Sequence, residues 1–164
     1  MFRSFRRIGV LGVCAVAAGA FSAVAAVPAS AAEAFEFTVY AQEVPGDQGD
    51  ESAPPPGLGD SFAFADDLFR SKGGEQVGRD GVTCTVVRVG DPGDFLCVGT
   101  FVLVGEPAGQ VTGQVMLTIG PSDEEISAFD IAVTGGTGDF EGARGTIRST
   151  QDGDYSRMEF HITD

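Results

Sequence analysis

Basic side chains are scarce in this chain: ten Lys and Arg stand against 24 Asp and Glu, a formal charge of −14 at pH 7. Arg3, Arg6 and Arg7 fall in the first 31 residues, which hold no acid, so the rest of the chain is more acidic still, at about −17. Such a chain repels nucleic acid and anionic membrane surfaces, and no basic cluster offsets that repulsion. Histidine occurs once, at His161. With the two cysteines that follow residue 31, it supplies too few ligands for a structural metal site. No segment keeps a 3.6-residue apolar period, which excludes a helical domain and leaves a turn or two at most, around residues 122–125. Neither a catalytic triad, a metal cluster nor a phosphate loop is recognisable, and no cofactor is expected.

The first 31 residues have the order of a secretory signal peptide: arginines, an apolar alanine-rich run, then the small triplet Ala29-Ser30-Ala31. The uninterrupted apolar part is short and ends at a cleavage-like site, so removal after Ala31 is expected rather than a membrane anchor. Arg6-Arg7 leaves the twin-arginine route open, although Phe5 precedes the pair. Residues 32–164 then form one domain, long enough to bury a core and predicted to be secreted. Cys14 leaves with the leader. Cys84 and Cys97 remain, on strand-like runs joined by Gly90-Asp91-Pro92-Gly93-Asp94, a strong turn sequence. A hairpin sets them face to face, and in an exported protein such a pair is expected to form a disulfide.

Beyond the leader the chain is a string of short strand-like runs separated by Gly, Pro, Asp and Ser. The runs cover 35–40, 61–69, 82–89, 95–104, 111–119, 126–134, 142–149 and 155–163. Residues 46–59, GDQGDESAPPPGLG, cannot bury apolar surface and read as a mobile loop. The domain is predicted to be all-β, and eight antiparallel strands at near-regular spacing fit a closed barrel, with a sandwich as the main alternative.

The densest signal is FDIAVTGGTGDFEGARGTI, from Phe129 to Ile147, in which Gly135, Gly136 and Gly138 predict a tight reversal between two strands. TGGTG also looks like a dinucleotide loop, but Glu141 occupies the last expected glycine position, Gly142 comes one residue late, and the chain after it is too short for a parallel sheet. The run TGGTG-x-F-x-x-ARG resembles instead the signature of the allene oxide cyclase and dirigent barrel superfamily. Gly59 to Leu68, with its Asp-Asp, resembles that superfamily's second-strand block. Gly78 to Val87 is similar to the third, and Cys97 to Thr100 with Gly109 to Thr112 to the fourth and fifth. The whole is most like the secreted dirigent-like proteins of actinobacteria.

The resemblance implies an eight-stranded barrel with an apolar cavity open at one end, assembled as a homotrimer. It also implies a cofactor-free role in which a small apolar or aromatic molecule, already reactive, is held for cyclisation or stereoselective coupling. The alternative is a non-catalytic binding or cell-surface protein on the same barrel. Asp66 and Asp67 match the Asp-Asp block and Arg144 the Ala-Arg-Gly, so these three are the expected catalytic group at the cavity mouth. Tyr40, Phe62, Phe64, Phe101 and Phe129 are the expected substrate-lining aromatics. No counterpart of the plant cyclases' carboxylate set is present. His161 alternates with Met158, Phe160 and Ile162 on its strand and is expected on the solvated face.

Overall fold

The computed structural model describes residues 34–46, 56–120 and 128–163. The leader over residues 1–31, most of the 46–59 loop and the turn expected at 122–125 lie outside the described residues. Nine strands form among the described residues: β1 (Ala34–Glu43), β2 (Ser61–Phe64), β3 (Asp66–Phe69), β4 (Gln76–Arg88), β5 (Gly93–Leu103), β6 (Gly109–Ile119), β7 (Ala128–Gly138), β8 (Arg144–Asp152) and β9 (Tyr155–Thr163).

Every pairing is antiparallel, and the ladder closes on itself. Neighbours run β1, β3, β4, β5, β6, β7, β8, β9 and back to β1. That is an eight-stave barrel, as the sequence predicted. β2 and β3 make one stave broken at Ala65: β3 bonds to both β1 and β4, whereas β2 bonds only to the later part of β4. Period-two alternation does the sorting, because each side chain points to the face opposite its neighbour's. On β9, Met158, Phe160 and Ile162 are buried while His161 is exposed, facing Glu36 at 3.7 Å on the outside.

β4 starts at Gln76, earlier than expected from Val82. Its first turn of chain is rich in Gly and charge and shows no alternation, and pairing with β3 and with the end of β5 makes it a strand. Cys84 and Cys97 are direct register partners across β4 and β5 and are joined by a disulfide.

The glycine-rich segment differs from its expected role. Gly135 and Gly136 lie within β7 at a bulge where the ladder with β6 skips Thr134, and the reversal itself comes later, at residues 139–142. Gly136 serves Phe140. A Cβ on Gly136 would lie 2.7 Å from the Cβ of Phe140 and 2.5 Å from its carbonyl oxygen, so only a bare backbone admits that ring. Gly138, at φ +69°, turns the chain there. Asp139 ties the turn to the preceding loop, donating its N–H to the Ala108 carbonyl at 3.0 Å and accepting from the Ala108 N–H at 2.8 Å.

Phe140 therefore folds back into the barrel end and is fully buried. Its ring centroid lies 5.4 Å from Phe35 and 6.2 Å from Phe37; Phe37 stacks on Phe160 at 4.5 Å, and Phe160 meets Phe101 edge-on at 5.4 Å. Burial of each such ring contributes about 1.5–3 kcal/mol, so this end of the barrel is a packed apolar plug. Among the described residues the other end is open.

Candidate functional site

Above the plug the barrel interior is a cavity of about 490 Å³, within the range that holds a drug-sized ligand. Phe101, Ile131 and Met158 form its floor, where the cavity meets the packed core. One wall is apolar, built by Phe64, Val82, Cys97, Val115, Leu117 and Phe129. Gly99 and Gly113 widen it by contributing no side chain. The facing wall is polar, with Glu43, Asp66, Ser149, Gln151, Asp154 and Tyr155.

Asp66 opens β3 immediately after the break at Ala65, where the backbone leaves the ladder. Its N–H is satisfied by a side chain instead, donating to Asp80 Oδ1 at 3.0 Å. Asp80 projects inward from β4 with Val82, Cys84 and Val86 and is buried, and its Oδ2 has no hydrogen-bond partner. Burial, and then the negative charge of Asp66, push the Asp80 pKa up to about 8. Asp66 is raised as well, chiefly by burial, with Glu43 and Asp67 adding like charge. Two carboxyls this close do not both ionise in a low-dielectric setting. Of the two, Asp80 holds its proton to the higher pH, and Asp66 is the member of the pair that lines the cavity. The pair can accept a hydrogen bond from a ligand edge, or exchange a proton with it.

Asp66, Phe64, Phe101 and Phe129 line the cavity. Phe62 lies one pair further out on β2, half exposed and edge-on to Phe95 at 6.1 Å, outside the lining. Tyr40 is on the outer face, with Lys72 Nζ 6.0 Å above its ring. Asp67 points away from the cavity and accepts from Gln76 Nε2 at 2.6 Å.

The expected grouping of Asp66 or Asp67 with Arg144 does not form. Asp66 is level with Glu43 at the end of β1, whereas Arg144 is level with Thr163 and hence with Ala34 at its start. A strand of that length separates the two levels by about 30 Å. The Arg144 guanidinium instead donates to the carbonyls of Ala143 at 2.6 Å and Gly142 at 3.3 Å, bracing the turn that carries Phe140. Asp80 takes the place foreseen for Arg144, and it was legible in principle, since an Asp on the inward parity of an apolar strand is out of pattern.

Solved structures with the same architecture include pyocyanin demethylase, at 26% identity and TM-score 0.62, covering 79% of this chain and 100% of that one. The chain has the dirigent-type barrel fold. Two pterocarpan synthase dirigent proteins match this barrel with TM-scores of 0.57. GePTS1 is 16% identical over 84% of this chain and 87% of that one, and PsPTS1 is 18% identical over 82% and 96%. No protein-family model and no curated protein matches the chain of this dirigent-type barrel.

Proposed function

We propose that this barrel binds a small, largely apolar aromatic molecule in its open cavity and directs its cyclisation or stereoselective coupling. Asp66 fixes the polar edge of the ligand and exchanges a proton with it. Catalysis then consists of holding one conformer against a shaped wall, with a single proton relay at one side. The observation that carries this reading is Asp66 on the polar wall of the cavity, opposite an apolar wall and backed by the buried Asp80. The names of the similar barrels, one a pyocyanin demethylase and two pterocarpan synthases, attach aromatic small molecules to this architecture and support the choice of ligand class.

The bond from the Asp66 N–H to Asp80 also repairs the strand break, and a pair with only that duty favours the alternative of a binding protein without turnover. Fluorescence titration with 2-naphthol tests the site. Asp66→Asn is expected to weaken binding about tenfold, the worth of one charge-assisted hydrogen bond, with the β circular dichroism unchanged. Equal affinity in the variant removes Asp66 from the site.

Export belongs to the same proposal, supported by the leader pattern and the disulfide; intact mass of protein from the medium is expected to begin at or near Ala32. Self-association does too. Across β4, β5 and β6 the outer wall presents Thr83, Val87, Val98, Thr100, Thr112 and Met116, a run without charge on a strongly acidic chain. Light scattering is expected to report three chain masses, and a stable monomer would discard the trimer alone.

A further inference from the structure

Among the described residues no cation lines the cavity, although its rim and polar wall carry three acids. Glu43, Asp66 and Asp154 line it, and no Lys, Arg or His does. Every basic side chain after residue 31 is placed elsewhere. Arg70 pairs with Glu75, Lys72 with Asp152, Arg88 with Asp94, Arg148 with Asp130 and Arg157 with Glu159. Arg144 braces the far turn, and Arg79 lies opposite Asp67 and Val102 in the ladder, on the outer parity of β4. The segments 47–55 and 121–127, outside the described residues, hold three acidic side chains each and no basic one.

Facing those acids are the rings of Phe64 and Phe129, and Tyr155 stands at the rim. Aromatic faces attract cations through their quadrupole, and carboxylates do so through charge, most strongly where low-dielectric walls focus the field. Both features favour the same ligand charge.

We infer that the cavity selects an aromatic ligand bearing a positively charged or protonated-amine edge and rejects ligands that carry a carboxylate. The inference rests on the reading of the cavity as the ligand site and adds to it the charge of the substrate class. A flat apolar body lies along the Phe64, Val115 and Phe129 wall, and its cationic edge points to Glu43, Asp66 and Asp154.

Three probes of one skeleton test this: 2-naphthylmethanol, 2-naphthylmethylammonium and 2-naphthoate, titrated by calorimetry into the full secreted chain at 0.15 M salt. The ammonium probe is expected to bind about tenfold tighter than the alcohol, and the carboxylate at least tenfold weaker. Glu43→Gln with Asp154→Asn should compress the ammonium preference to about twofold. Glu106→Gln with Glu141→Gln, which removes as much charge at the plugged end, should leave it intact. Equal binding of the three probes, tighter binding of the carboxylate, or equal compression by the two double variants overturns charge selection while the cavity reading stands. If none of the probes binds, the alcohol included, the cavity reading falls and this inference with it.

Discussion

Asp80→Asn separates the titration of the buried carboxyl from its shape. Asp80 is 5% exposed, and its pKa is pushed up to about 8 by burial and by Asp66. In the unfolded chain an aspartate titrates near 3.9. A native pKa above the unfolded value means that the folded protein holds a proton which the unfolded chain releases. The stabilisation is therefore complete below about pH 4 and is lost as pH rises to about 8.

At about 1.4 kcal/mol per pH unit, the loss between pH 5 and 8 is on the order of 4 kcal/mol, an upper limit that water reaching the carboxyl reduces. Asparagine keeps the volume, and its oxygen can still accept the Asp66 N–H, but it does not titrate. We predict that stability falls more steeply across this window in the wild type than in Asp80→Asn, so the two midpoints move relative to one another in the variant's favour as pH rises. Asp66, also raised by burial, contributes with the same sign, and its share remains in both proteins. Urea unfolding from pH 5 to 9, in a His161→Gln background that removes the one histidine, reads the difference in midpoints. Parallel profiles for the two proteins would refute the assignment of a native proton to Asp80.

Phe140→Ala should destabilise the domain by about 3–5 kcal/mol, since a fully buried ring is lost and the floor above it cannot collapse around a turn braced at both sides; for a domain of this length the melting temperature falls by roughly 10–18 °C. Cys84→Ser with Cys97→Ser is expected to cost about 3 kcal/mol in chemical denaturation, because the residues are separated by 13 positions in sequence and the closed loop is short. Arg144→Ala should lower thermal stability by about 1 kcal/mol through its lost carbonyl contacts, yet leave affinity for 2-naphthol unchanged. A changed affinity would return Arg144 to the site.

The strands were readable because alternation is local: Met158, Phe160 and Ile162 declare their face without reference to any other segment. The disulfide was readable for the same reason, since a strong turn between two runs sets the pairing of Cys84 with Cys97. What failed depended on positions many residues apart. Arg144 and Asp66 both stand near strand ends, but which end of the barrel each occupies follows from the pairings that link β8 to β9, β9 to β1 and β1 to β3, and no local pattern encodes it. The glycine run misled differently. Its reversal was placed at Gly135, Gly136 and Gly138, whereas only Gly138 turns the chain, Gly136 makes room for Phe140, and the turn lies beyond the first two. Tyr40 was misassigned by one parity step, being judged on its aromatic character rather than on the buried Val39 and Ala41 that flank it. Asp80 passed unnoticed inside Gly-Arg-Asp-Gly, where the flanking glycines hide the alternation that would have exposed it.

Among the described residues the phenylalanine plug leaves the barrel a vessel with a single door. Whatever reaches Phe101 must come back past Phe64 and the acidic rim, so arrival and departure share one path and cannot overlap in time. Under the proposed function, a product that kept the skeleton of its precursor would compete for the same wall, and occupancy would depend on what happened at the polar edge. Under the same proposal, chemistry that consumes a donor group facing Asp66 would loosen the hold on the molecule and open the way out. Depth is set separately, by the ring on the Asp139–Gly142 turn and the rings stacked above it. Swapping those rings would lengthen or shorten the accommodated molecule while the mouth kept its chemical preference.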